Sequence, residues 1–249
     1  YKNKVKILNV KIDNLTINEL LKNYTKGILV TPNVDHLMNL QIDKELYNFY
    51  QKANFVINDS QILRFVSFFL NNPLKEKISG SDFFPAYCDY NSKNKNIKIF
   101  LFGSKDNTSE VAKEKINSKY HRELIVDNFS PSMGFEKNKL ECEQIINRVN
   151  DSNANVLVIG VGSPKQEKWL LKYQSELKNI DCFMLLGATI DFEAGIIKRA
   201  PKWISRFGLE WLFRIYQEPG RLWKRYLIKD MPFFWQIIKQ KIGIYKNPI

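Results

Sequence analysis

The 249 residues, 44% of them apolar, are enough to bury the core of one compact domain and carry an extension. Three cysteines without C-x-x-C spacing and two histidines, His36 and His121, argue against a zinc cluster or a disulfide framework and point to a reducing compartment. The net charge of +12 calls for an anionic partner, and it lies at one end. From Lys198 onward twelve Lys and Arg stand against Glu210, Glu218 and Asp230, so +9 of the +12 belongs to the last 52 residues.

No apolar run approaches the about 18 residues needed to span a bilayer, and the start lacks the charged-then-apolar order of a signal peptide. The chain is therefore expected not to cross a membrane by itself. Tyr1 in place of Met reads as a trimmed or incomplete start.

Residues 5–10 form the first predicted strand, and Thr16 with Glu19 forms a capping box ahead of a helix. A second strand, 28–31, runs into Thr31-Pro32-Asn33-Val34-Asp35-His36. Thr31 and Asn33 there either face a ligand or cap the following helix. The strand 54–58 ends at Asn58-Asp59-Ser60, where Asp59 is either a catalytic carboxylate at the strand tip or an N-cap. Strand 97–102 ends at Gly103-Ser104 and precedes a helix over 106–120. Strand 124–127 leads to a loop carrying Gly134 and Phe135, then to a helix over 136–150.

Strand 156–160 enters Gly160-Val161-Gly162-Ser163-Pro164-Lys165-Gln166-Glu167, and a helix follows over 165–177. This glycine turn either presents backbone amides with Lys165 and Gln166 to an anion or is a tight structural turn. It is no Walker A loop, and a G-x-G lacking its third glycine is weak evidence for a dinucleotide. Strand 182–187 is the last, and Asp191 in the loop beyond it either accepts hydrogen bonds from a base or sugar or serves as a cap. No D-x-D occurs anywhere, so a diphosphate would have to be held by Arg, Lys and helix N-termini rather than by a carboxylate-bound divalent ion.

Strands alternating with amphipathic helices predict an α/β fold, a Rossmann-like, mostly parallel sheet flanked by helices, over residues 1–197. Its chemistry is expected beyond the carboxyl ends of the strands. Residues 198–249 read as a basic, aromatic, helical appendage with four of the five tryptophans, Trp203, Trp211, Trp223 and Trp235. Helices are expected over 209–217, 222–228 and 233–238, with Pro219-Gly220 separating the first two. Arg214, Arg221, Lys224, Arg225 and Lys229 lie among aromatics, as in interfacial helices, where each basic residue near an anionic leaflet contributes ~1 kcal/mol. A core face with a solvated basic side is the competing reading. Nucleic acid is the other anion, and no RNA- or DNA-binding motif occurs.

Several stretches together resemble the WecG/TagA/CpsF family of bacterial glycosyltransferases across nearly the whole chain. They are Arg199-Ala200-Pro201 with Trp203, Gly208-Leu209-Glu210-Trp211-Leu212-Phe213-Arg214, and Gln217-Glu218-Pro219 with Arg221-Leu222 and Arg225-Tyr226. Thr31-Pro32-Asn33, Gly80-Ser81-Asp82, and Gly162 with Pro164-Lys165-Gln166-Glu167 and Trp169 support the match. The resemblance implies an inverting, metal-independent enzyme without a cofactor. It would move N-acetylmannosamine or a related sugar from a UDP-sugar to a sugar on undecaprenyl diphosphate, in teichoic acid, capsule or similar synthesis. It implies peripheral attachment at the cytoplasmic face of the membrane, with homo-oligomers open.

By the same resemblance Asp59 is the general base, Thr31 and Gln166 lie at the reaction centre, and Asp191 lies near the uracil. Arg214, Arg221 and Arg225 approach the diphosphate, and Asn33, Gly134, Phe135, Gly162 and Lys165 complete the substrate-binding set. Two departures from the family pattern, Asp59-Ser60 for Asp-Gly and Gly187-Ala188-Thr189-Ile190 for G-V-G-G, are expected to narrow the space around donor and acceptor. They leave a non-catalytic nucleotide-sugar-binding protein as the alternative. An NAD-dependent oxidoreductase rests on Gly160-x-Gly162 alone.

Overall fold

Residues 5–10, expected as one strand, turn back on themselves: β1 (Lys4–Ile7) pairs antiparallel with β2 (Val10–Asp13), Val5 opposite Ile12 and Ile7 opposite Val10. The reversal occurs at Leu8, whose φ of 54° is unusual for a residue with a branched side chain and sends no turn signal in the sequence. The computed structural model describes residues 3–201, 204, 209–217, 219–224 and 228–249. They divide into two compact units, one of residues 1–19, 31–79 and 199–249, the other of residues 20–30 and 80–198.

In the first unit the hairpin anchors β4 (Phe55–Val56). Asp13, almost fully buried, accepts from the Val56 amide at 2.8 Å and pairs with Lys4 Nζ at 3.1 Å, so its charge is compensated on both sides. The capping box forms as predicted: Thr16 N donates to Glu19 Oε2 at 2.7 Å and Glu19 N donates to Thr16 Oγ1 at 3.2 Å, opening α1 (Ile17–Asn23). Wholly within the first unit are α2 (Val34–Asn39), α3 (Lys44–Lys52) and α4 (Gln61–Phe69).

The C-terminal helices belong to this unit. They are α10 (Glu210–Gln217), α11 (Pro219–Lys224) and α12 (Pro232–Lys241). Pro219 and Gly220 start α11 rather than merely separating helices, since a first-turn proline sacrifices no helical hydrogen bond. In α12 the buried residues are Phe233 and Ile237, one turn apart, and the helix packs against α2. Phe233 is thus a core residue of the C-terminal segment, whereas Phe234 and Trp235 are 44% and 59% exposed. The end of the chain is fastened to the hairpin. Gln240 accepts from Leu8 N at 2.6 Å and donates to Lys6 O at 3.0 Å, while Tyr245 donates to Gln41 Oε1 at 2.6 Å and Gln41 Nε2 donates to Asn9 Oδ1 at 2.6 Å.

The second unit holds β3 (Gly27–Val30), β5 (Ile99–Gly103), β6 (Ile125–Phe129), β7 (Val156–Gly160) and β8 (Cys182–Leu185). They lie in the order β3-β8-β7-β5-β6, every adjacent pair parallel. All residues of β5 and β7 are buried, which is why these strands read as unbroken apolar runs. The flanking helices are α5 (Gly80–Tyr90), α6 (Thr108–Tyr120), α7 (Lys139–Asp151), α8 (Lys165–Tyr173) and α9 (Thr189–Ala194). The helix expected from residue 136 starts at Lys139, because Asn138 caps it by accepting from Glu141 N; a 3₁₀ turn, Phe135–Lys137, precedes it. The expected α/β class with a Rossmann-like parallel sheet is what the unit contains.

Candidate active site

The second unit contains a topological switch point in its parallel sheet. The chain leaves β5 toward β6 on one side and returns to β7 on the other, so right-handed crossovers send α6 and α8 to opposite faces of the sheet. The loops after β5 and β7 diverge there, at the switch point where α/β sheets bind ligands. Two glycines let the strand ends meet. A Cβ on Gly103 would lie 2.6 Å from the Gly160 carbonyl carbon, and one on Gly160 would lie 2.8 Å from Gly187 O and 2.9 Å from Ile190 Cδ1. Just beyond these glycines the hydroxyls of Ser104 and Ser163 are buried without hydrogen-bond partners.

At the start of α8 the Gly160–Gln166 turn closes through Gln166 N donating to Gly162 O at 3.0 Å, with Gly162 at φ +83°. Gln166, 1% exposed, joins two loops: its Oε1 accepts from Gly187 N at 3.3 Å and its Nε2 donates to Glu167 Oε1 at 3.1 Å. Glu167 is also 1% exposed, and its Oε2 has no hydrogen-bond partner. Burial pushes this carboxyl up to about 7, against the opposing pull of its own backbone amide and of Gln166. Ser163 lies near enough to lower it, although its hydroxyl closes no hydrogen bond. Glu167 appeared in the sequence only as part of a motif; its burial and its grip on Gln166 come from the fold.

Lys165 makes a long ion pair, 3.7 Å, with Glu136 and remains 43% exposed. Gly134 has φ +85° with nothing within 4 Å of where a Cβ would stand, so its loop face is open. Phe135 is not open: it is 2% exposed and meets Phe102 edge-on at 5.4 Å, leaving only its backbone for a ligand. Asp191 lies inside α9, half-buried, and its carbonyl accepts from Ile196 N at 3.0 Å. It is therefore neither in a loop nor a helix cap.

In the first unit a short backbone link joins two predicted stretches, Asp59 N donating to Pro32 O at 3.2 Å. This holds Asp59 beside Thr31-Pro32-Asn33. Asn33 is the N-cap of α2, accepting from His36 N at 3.2 Å, and Thr31 is buried. The N-cap of α4 is Ser60, which accepts from Leu63 N, while Asn58 Oδ1 receives Ser60 N at 3.0 Å. The capping role weighed for Asp59 therefore falls to its neighbour.

Local structure also accounts for both departures from the family pattern. Ser60 caps a helix. Thr189 donates to Leu186 O at 2.8 Å and sits where a Cβ on Gly80 would collide with it, and Ile190 is packed against Gly160. Thr189 and Ile190 are both buried, at 1% and 0% exposure.

Lys229, one of the basic residues placed among the tail aromatics, pairs with buried Asp35 at 3.1 Å. The backbones of Arg214 and Arg221 lie in α10 and α11, and their side chains fall outside the described part. Trp203, Arg225 and Tyr226 lie outside the described residues.

A model of the glycosyl transferase WecG/TagA/CpsF family matches residues 5–247. A Bacillus subtilis (strain 168) protein named N-acetylglucosaminyldiphosphoundecaprenol N-acetyl-beta-D-mannosaminyltransferase is 29% identical over 220 residues, covering 86% of this chain and 82% of the relative. Proteins of the same name from Staphylococcus aureus strains MW2 and MRSA252 are 25% identical over 259 residues, covering 98% of this chain and 95% of theirs. With the match running over almost its entire length, the chain belongs to the WecG/TagA/CpsF family and is a glycosyltransferase.

Proposed function

We propose that this enzyme transfers N-acetylmannosamine, or a closely related hexose, from its UDP-linked form to N-acetylglucosaminyl-diphosphoundecaprenol, in assembly of a bacterial surface polysaccharide. The observation that carries this reading is the near full-length similarity to transferases named for that acceptor and that sugar. In the mechanism, Asp59 takes the proton from the acceptor hydroxyl as it attacks the anomeric carbon from the face opposite UDP, which inverts the centre. The handover of helix capping to Ser60 supports this role for Asp59. Thr31 and Gln166 contact the reacting sugars, and Asn33 holds the start of α2 in place.

UDP lies at the crevice beyond β5 and β7, contacted by Gly134, the Phe135 backbone, Gly162, Lys165 and Asp191. Buried, unpartnered Ser104 and Ser163 hydroxyls support a hydrogen-bonding ligand there. Charge on the departing diphosphate is stabilised by Lys165, Arg214, Arg221 and Arg225, a role the missing D-x-D leaves to cations of the chain. Residues 198–249 act as an appendage to a catalytic core of 1–197 and bring the enzyme to the cytoplasmic face of the membrane. Among the described residues no helix is long and apolar enough to cross it.

A screen of UDP-sugars against a short-chain polyprenyl-diphosphate N-acetylglucosamine, with mass analysis of the lipid product, tests the assignment. The expected product gains one N-acetylhexosamine, with β stereochemistry by NMR and undiminished yield in EDTA. A gain from another sugar corrects the donor, and no gain from any donor refutes the proposal.

A further inference from the structure

Helix α4 presents an apolar face that the fold leaves uncovered. Phe65, Phe68 and Phe69 follow i, i+3, i+4 spacing and are 48%, 52% and 50% exposed, while Leu63, Val66 and Ser67 on the other side are buried. Single exposed apolar residues are ordinary; three phenylalanines adjoining on one helix face are not. The face carries cations as well as rings. The Arg64 guanidinium lies 5.5 Å from the Phe68 ring centroid and Lys241 Nζ lies 5.4 Å from that of Phe69, and α4 contains no acidic residue.

Lys241 ends α12, so its contact with Phe69 joins this face to the outer side of the C-terminal helix. There Trp235 is 59% exposed, Ile238 is 43% exposed, and Lys239 lies 5.7 Å from the Trp235 ring. Exposed rings interleaved with cations and free of carboxylates form the pattern of an interfacial helix on an anionic leaflet. A second copy of the chain fits less well. A two-fold contact through this face would set Arg64 and Lys241 against cations of the same kind.

We propose that the phenylalanine face of α4 is a lipid-contacting surface, inserting Phe65, Phe68 and Phe69 into the interface of an anionic phospholipid bilayer beside α12. The proposal rests on the reading that the C-terminal helices bring the enzyme to a membrane, and it extends the docking surface to the helix that begins two residues after Asp59. Ser67 anchors the buried side, donating to Arg64 O at 2.6 Å and accepting from Leu74 N at 2.9 Å, so substitutions on the outer side spare the fold.

The test uses the full chain with Phe68→Cys carrying an environment-sensitive fluorophore, the three native cysteines being buried. Vesicles of phosphatidylglycerol and phosphatidylcholine are compared with phosphatidylcholine alone. The expected result is a blue shift with the anionic vesicles only, quenched by brominated acyl chains. Phe65→Ser/Phe68→Ser/Phe69→Ser should weaken co-sedimentation about tenfold or more, with unchanged melting temperature and unchanged turnover of a water-soluble short-chain acceptor. An unshifted label on protein that still co-sediments would assign docking to the C-terminal helices alone and overturn the proposal. A blue shift without lipid that grows with protein concentration, with dimers in sedimentation, would overturn it in favour of self-association. Wild type that transfers sugar to the short-chain acceptor but never co-sediments would overturn it together with the membrane reading, leaving glycosyl transfer intact.

Discussion

Gln166 is held by Glu167 on one side and by the Gly187 amide on the other, at 3.1 and 3.3 Å, so a buried carboxyl orients the amide proposed to meet the reacting sugars. The acid in this pair titrates near neutrality, about 7, because burial disfavours its charge. In the unfolded chain it ionises near 4.5. The folded state therefore keeps the proton to higher pH than the unfolded state does. The resulting stability is present in full below pH 4.5 and is lost as pH rises through 7, a difference on the order of 3 kcal/mol. Glu167→Gln should remove that slope. Urea unfolding of both proteins across this range checks it, and equal slopes would contradict the buried, late-titrating carboxyl.

Ser60 and Asp59 are adjacent but predicted to separate stability from activity. Ser60→Ala deletes the α4 cap and should cost about 1 kcal/mol, and Ser60→Gly, which restores the usual Asp-Gly, only a few tenths. Both variants should keep transfer rates within a few-fold of wild type. A loss of turnover in Ser60→Ala with unchanged stability would mean that Ser60, not Asp59, works on the substrate.

The glycines of the crevice differ in kind. Gly103→Ala sets a methyl group 2.6 Å from backbone at φ +148° and should cost several kcal/mol, enough to impair soluble expression. Gly162→Ala meets open space and bears only the strain of φ +83°, about 1 kcal/mol. Thermal melting of the two variants compares them directly, and similar losses would mean that the contact between β5 and β7 tolerates expansion.

At the other end of the chain, Gln240→Ala removes a donor and an acceptor from the β1–β2 turn. The expected loss is about 1–3 kcal/mol, because the Leu8 amide is left without its acceptor. Hydrogen exchange at Leu8 should quicken, and an unchanged rate would show that this bond does not fasten the C-terminal segment.

The sheet was legible because β5 and β7 are buried along their whole length and so read as uninterrupted β-branched and aromatic runs. The hairpin was hidden because its turn uses Leu8 in a left-handed conformation where glycine or asparagine is the usual signal. Phe233, Phe234 and Trp235 look alike in sequence, and only the packing of α12 on α2 turns Phe233 inward. Asp59 could be singled out at a strand end, but that the cap of α4 is its neighbour shows only in Ser60 accepting from Leu63 N. The grip of Glu167 on Gln166 depends on burial, which spacing along a helix does not encode.

The proposed role of Asp59 is tested most directly by Asp59→Asn, assayed for product mass on a lipid-linked N-acetylglucosamine acceptor with UDP-N-acetylmannosamine. Loss of the base should lower turnover by roughly 10²–10⁴-fold, with α4 still capped by Ser60. A variant that forms the disaccharide lipid at the wild-type rate would contradict Asp59 as the general base.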